Sequence, residues 1–153
     1  MTGSYPHIIK ATSDDWQILA EMRSQLWPQE SPSEHLAEIS DLMTHYDYHS
    51  WLACFDGDDG LRPVGFLEAS IRPYVNGCLN RPVAFIEGIW CDEDWRRKGL
   101  AGQMVAICTE WAKSKGITEL ASDAYLENEA SHQAHESWGF HKTETVVYFR
   151  KKL

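Results

Sequence analysis

Three consecutive cations, Arg96, Arg97 and Lys98, stand directly before Gly99 in a chain whose net charge is −9. They lie in the stretch IEGIWCDEDWRRKGLAGQM, between an apolar run and a helical pattern. The first turn of a helix has backbone N–H groups without internal partners and carries the positive end of the helix dipole. That end binds anions. Glycine at 99 lets a phosphate approach the backbone, and Ala101 and Gly102 keep the next positions small. The three cations add charge-assisted contacts. The chemistry on offer is the holding of a phosphate-bearing ligand. The other reading is a solvated charged turn ahead of a helix. Neither GxxxxGK[ST] nor GxGxxG occurs here, so this is not a P-loop or a dinucleotide fingerprint.

Carboxylates form the second group. Glu87 interrupts an otherwise apolar strand, where an unpaired buried carboxylate is costly. It serves a site or a structural salt bridge. Read by residue type alone, Asp123 ends a strand and caps the following turn, and Glu144 alternates with apolar residues and faces solvent. Trp27, before Pro28, ends a helix as a core residue, and Tyr74 sits in a loop, where a recognition role is more natural. His132 and His135 share a helix face at i, i+3, but no third ligand lies nearby in the chain, so no metal is expected.

The elements that must position these residues alternate along the chain. His7–Ala11 reads as a short strand. Asp14–Leu26 reads as a helix capped by Thr12 or Ser13. Ser31, Pro32 and Glu34 supply an N-cap, a first-turn proline and a capping-box glutamate, so a second helix runs from Pro32 to about His45. Strands are predicted over Ser50–Asp56, Val64–Arg72 and Val83–Cys91, with GDDG at 57–60 as a turn. Leu100–Lys115 places Leu100, Met104, Ile107, Cys108 and Trp111 on one helical face. Glu119–Ala124 is a strand, Glu129–Trp138 a helix and Thr143–Lys151 a final strand. The order βααβββαβαβ predicts one α/β domain spanning 1–153, with a mixed sheet.

At 153 residues the chain has room for one domain with a proper core. The N-terminus lacks a signal-peptide pattern, and no stretch approaches the ~20 apolar residues of a membrane span. Cys54, Cys78, Cys91 and Cys108 are widely spaced, which suits reduced thiols in a cytoplasm. A pI of about 5.2 argues against general nucleic-acid binding and leaves room for a cationic partner.

Arg96 to Ala101 matches Q/R-x-x-G-x-G/A, and in this motif the chain resembles the GNAT superfamily of N-acetyltransferases. The strand before it, the helix after it, Asn128 at the next helix start and Gly139-Phe140 at its end agree with that family. QLWPQES, EASIRPYVNG, FIEGIW, ELASDAYLEN and ESWGFHKTETVVYFRKK together resemble the aminoglycoside 6'-N-acetyltransferases, a branch of antibiotic-resistance enzymes. These blocks spread from residue 25 to 152.

The resemblance implies a mostly antiparallel sheet with helices on both faces. Its two central parallel strands, Val83–Cys91 and Glu119–Ala124, splay around acetyl-CoA. It implies that Ile89, Trp90 and Cys91 pair with the pantetheine. The loop Arg96, Arg97, Lys98, Gly99, Leu100, Ala101 and Gly102 holds the pyrophosphate, Asn128 contacts the pantetheine arm and His132 lies near the adenosine. On the acceptor side it implies Trp27, Tyr74, Glu87, Asp123 and Glu144. The carboxylates would meet the ammonium groups of a polycationic sugar, and the aromatics would face its rings, with cation–π attraction as a supplement. The implied reaction is direct attack of an amine on the thioester, with Glu87 as candidate base and Asp123 second. Many members have a tyrosine four residues before the Gly-Phe as general acid. His135 occupies that place here, and the alternative is that the thiolate leaves unassisted. Similar enzymes are commonly homodimers with C-terminal strands meeting across the interface. Two other functions fit the same residues: acetylation of another amine, such as a polyamine or metabolite, and non-catalytic acetyl-CoA binding.

Overall fold

The computed structural model describes residues 5–153. Strand β1 (His7–Lys10) leads through a short 3-10 turn into helix α1 (Trp16–Leu26) and then α2 (Pro32–His45). The predicted capping box of α2 is present: Ser31 Oγ accepts from the Glu34 N–H, and Glu34 accepts from the Ser31 N–H. Strands β2 (Tyr48–Gly57), β3 (Gly60–Arg72) and β4 (Val83–Cys91) follow, then α3 (Leu100–Ser114), β5 (Leu120–Ala121) and α4 (Glu129–Ser137). The five strands lie side by side in chain order. The first three pairings are antiparallel, and β4 with β5 is parallel.

Strand alternation sends neighbouring residues to opposite faces, and each face has its own core. Trp51, Ala53 and Leu67 meet Leu100, Met104 and Cys108 of α3. Leu52, Cys54 and Phe66 meet Leu19 and Met22 of α1 and Ile39 of α2. The two-faced cover predicted from the resemblance is therefore present.

Two predicted strands differ. Glu119–Ala124 shortens to Leu120–Ala121. Thr143–Lys151 is not a strand. It is a correction with a plain cause: a strand needs a ladder partner, and this segment pairs with no strand among the described residues. Its apolar side chains stand in solvent, with Val147 75 %, Tyr148 85 % and Phe149 94 % exposed. For the same reason β5 lies at the sheet edge and not at its centre.

One charged cluster sits inside the α1/α2 side. The fully buried Glu68 accepts two bonds from Arg23 Nη1, at 3.1 and 2.8 Å. It also accepts from the Tyr48 hydroxyl. Arg23 further donates to His35 Nδ1 at 3.2 Å and to Glu38. Burial pushes the Glu68 carboxyl up from the usual carboxylate range, and Arg23 and Tyr48 pull against that. Burial, then the charge of Glu68, raises the Tyr48 hydroxyl, so it remains a donor. Glu68→Ala strands a buried guanidinium. We expect about 3 kcal/mol of lost stability in urea denaturation, at the low end for a broken buried pair because Glu38 still reaches Arg23. The double change Arg23→Met with Glu68→Leu should cost less.

Candidate active site

The site begins where β4 and β5 part. Their pairing spans only Ala84 with Leu120 and Phe85 with Ala121. Beyond Phe85 the β4 edge facing β5 is open, while the opposite edge remains on β3 as far as Cys91. The Asp92 N–H donates to the Val64 carbonyl at 2.8 Å. Alternation then turns the N–H and C=O of Cys91 and Ile89 outward, to the open edge, where the Arg96 side chain takes the Cys91 carbonyl. An extended ligand can add there as a strand does.

Gly99 caps α3 with φ of 82°, a left-handed conformation that glycine adopts without strain. Arg97 also has a positive φ, 59°. A non-glycine residue held there stores backbone strain. The turn aims the first amides of α3 outward beside the open edge of β4, with Leu100 buried beneath and Ala101 and Gly102 partly exposed. Arg96 is tied back, donating through Nε to the Cys91 carbonyl at 3.0 Å. The Lys98 carbonyl accepts from the Tyr5 hydroxyl at 2.9 Å. A hollow of about 540 Å³ adjoins this loop and includes Trp90, Asp92 and Arg96.

A second cavity, about 480 Å³, opens between β4 and the α1–α2 connection. It brings together two predicted residues, Trp27 and Glu87, with Glu30, His35, Glu38 and Tyr48. The Trp27 ring lies on Gly88, where an added Cβ would come within 2.5 Å of it. The Arg23 guanidinium is 4.9 Å from that ring, and His35 Nε2–H donates to the Trp27 carbonyl at 3.0 Å. Glu87 falls at a register shift: Glu68 pairs with Gly88 and Ala69 with Ile86, so Glu87 is the extra residue of a bulge. The bulge turns its carboxylate onto Ser70 Oγ (2.6 Å) and the Arg72 fork (2.9 and 2.8 Å).

Three predicted acceptor residues do not line this cavity. Tyr74 is exposed in the β3–β4 loop, with the Arg81 guanidinium 5.4 Å from its ring. Asp123 is exposed just beyond β5. Glu144 is exposed, next to Thr143, which abuts Gly77 in the loop that carries Tyr74. On the α4 side, Asn128 Oδ1 accepts from the Ser131 N–H at 3.1 Å and caps the helix. His132 Nε2 lies 2.9 Å from the Tyr125 carbonyl, and its Nδ1 is buried without a protein partner. His135 Nδ1–H donates to the Ser131 carbonyl at 2.7 Å, and Nε2 accepts from the Ser122 hydroxyl at 2.8 Å. Both ring nitrogens of His135 are engaged.

Glu30, His35 and Glu38 form a cluster of metal-type donors among the described residues. Arg23 already fills it, on His35 and Glu38, so the set does not suit a metal ion. Sequence reasoning missed Arg23, Glu68, Ser70 and Arg72. The available signal was Glu68 in the apolar run VGFLEASIR, the same kind of interruption that singled out Glu87.

Burial, opposed by Arg96, pushes the Cys91 thiol up to about 11. Burial alone pushes Cys108 to about 12. Neither is a thiolate near neutrality, so neither is an activated nucleophile.

Gly88→Ala drives a methyl group into the Trp27 ring. We expect a loss of about 1–3 kcal/mol in urea denaturation, with the same loss largely absent in a Trp27→Ala background.

Residues 16–140 match the acetyltransferase (GNAT) family. An aminoglycoside N(6')-acetyltransferase type 1 of Serratia marcescens is 40% identical over 147 residues, covering 95% of this chain and 99% of that protein. The like-named enzyme of Acinetobacter baumannii is 42% identical over 147 residues, covering 95% and 96%. Among solved structures, AAC(6')-Iy in complex with the bisubstrate analog CoA-S-monomethyl-acetylneamine has a TM-score of 0.89 at 36% identity, covering 98% of this chain and 100% of that one. AAC(6')-Ih from Acinetobacter baumannii has a TM-score of 0.86 at 40% identity, covering 97% and 99%. With its parted strands and glycine-capped helix, the chain belongs to the GNAT acetyltransferases, among the aminoglycoside N(6')-acetyltransferases.

Proposed function

We propose that this protein moves the acetyl group of acetyl-CoA to the 6'-amine of aminoglycosides and so confers resistance to them. The observation that carries the reading is the parting of β4 from β5 beside the glycine-capped start of α3, in a chain about 40% identical to such enzymes over nearly its full length. The pantetheine adds along Ile89 to Cys91, and the pyrophosphate sits on the amides from Arg97 to Gly102, with Arg96 and Lys98 beside it. Asn128 and His132 border the coenzyme from α4. The ammonium groups of the sugar meet Glu87 and the acidic rim, with Asp123 and Glu144 supplying further carboxylates. Trp27 and Tyr74 face the rings.

The amine attacks the thioester carbon, a tetrahedral oxyanion forms, and its collapse expels the CoA thiolate. The outward N–H of Cys91 is the nearest fixed dipole for that oxyanion. The amine must first lose a proton, and Glu87 receives it directly or through water. The thiolate is a fair leaving group. His135 has a relay role only through the Ser122 hydroxyl on its Nε2. Orientation of amine against thioester supplies much of the acceleration.

The same reading includes a homodimer. The exposed Val146–Phe149 segment and the unfilled edge of β5 each lack a partner among the described residues. A second copy supplies both, and brings a Glu144 to the site. The four cysteines are free thiols, which suits a reducing cytoplasm. Among the described residues no helix is long and apolar enough to cross a membrane.

Thiol release from acetyl-CoA should be rapid with kanamycin and absent with a matched 6'-hydroxyl aminoglycoside. Release with spermidine alone would overturn the acceptor assignment and favour the polyamine reading, and coenzyme binding without any release would favour a sensor. Cys91→Ala should keep at least half of the turnover, with no acetylated protein trapped on acid quench. Removing residues 143–153 should convert a dimer to a monomer in sedimentation, with kanamycin turnover falling at least tenfold.

A further inference from the structure

Glu87 already has a cation. Its Oε1 accepts from Ser70 Oγ and Arg72 Nε, and its Oε2 from Arg72 Nη2. A carboxylate has about four acceptor sites, so one remains, on Oε2. Arg72 is itself held in place: its guanidinium lies 3.6 Å from the centre of the Phe85 ring. The pair is not sealed in the core, since the Arg72 side chain is 42 % exposed and that of Glu87 22 %. Glu87 stands at the wall of the 480 Å³ cavity.

The groups facing Glu87 from other elements are Tyr48 on β2, the buried Arg23–Glu68 pair behind it, and Glu30, His35 and Glu38 across the cavity. Tyr48 remains a phenol, and Arg23 and Glu68 cancel. Arg72 is therefore the cation that decides the charge presented at Glu87. The acidic rim favours polycations, but a lone carboxylate beside the reacting amine would also hold that amine as ammonium. Each unit of such a shift adds about 1.4 kcal/mol to deprotonation.

We propose that Arg72 is a positioning residue for acetyl transfer: by neutralising and orienting Glu87, it leaves one acceptor site that aligns the incoming amine without locking it in its unreactive ammonium form. The outer carboxylate Glu30, with the Glu38 oxygen that Arg23 does not engage, then holds the other amines by charge. Binding and deprotonation are thus assigned to different residues. This rests on the reading of the chain as an amine acetyltransferase.

The test is the pH dependence of kcat with kanamycin and acetyl-CoA, using the full chain and the variants Arg72→Gln, Arg72→Lys, Glu87→Gln and the Arg72→Gln, Glu87→Gln double. We expect Arg72→Gln to lower kcat at pH 7 about tenfold and to move the acidic limb up by about one pH unit. KM for kanamycin should be unchanged or lower. Arg72→Lys should restore most of both, and the limb shift should vanish in the Glu87→Gln background. An acidic limb that coincides with wild type, or a shift that persists without Glu87, overturns the proposal. Were Arg72→Gln unfolded by circular dichroism, Glu87→Gln decides: with the Arg72 cation left unanswered its acidic limb should move down, and an unmoved limb rejects the proposal. No turnover by the wild type would instead remove the underlying reading.

Discussion

Strand β4 keeps a full ladder on one edge and gives up the other. Everything in the site follows from that. The β3 ladder holds β4 rigid to Cys91, and the loss of β5 after Phe85 exposes backbone groups that a folded protein normally pairs. Unpaired strand edges are usually a hazard. Here the edge runs into the first turn of α3, where a second set of unpaired amides begins. Two local deficits in hydrogen bonding, one on a strand edge and one at a helix start, thus follow each other along the chain.

The acidic composition and the basic loop then fit one electrostatic scheme. The cations around the cavity are answered locally, the buried Arg23 by Glu68 and Glu38 and the half-exposed Arg72 by Glu87. Most of the net charge of −9 remains for the rest of the surface, where it favours approach of a polycation. Arg97 and Lys98 remain exposed, a small positive field just before the start of α3 in an otherwise acidic protein.

Much of this was legible in the sequence because it rests on local rules. The capping box at Ser31 and the Leu100–Ser114 face are set by residues three or four apart. Glu87 was visible as a charge in an apolar strand. Its partner Arg72 was not, since a 15-residue separation is joined only by the sheet register, and a bulge shifts that register. The Thr143–Lys151 strand was misjudged for the opposite reason. Its alternation shows that the segment can make a ladder, but alternation does not say with which chain. Tyr74, Asp123 and Glu144 came from resemblance alone, and their positions outside the cavity lining reflect loops and a terminus whose final contacts are not local.

The guanidinium of Arg23 touches Glu68, His35, Glu38 and the face of Trp27. Four elements, α1, α2, β2 and β3, are therefore committed to one point charge when Tyr48 is included. Evolutionary drift at these positions is constrained accordingly. No member can change type alone without leaving a buried donor or acceptor unmatched, so the cluster should be inherited as a block. Variation in the acceptor pocket is then left to the residues around it, Glu30 and Gln29 on the loop, which can be exchanged without disturbing the framework that sets where Trp27 stands.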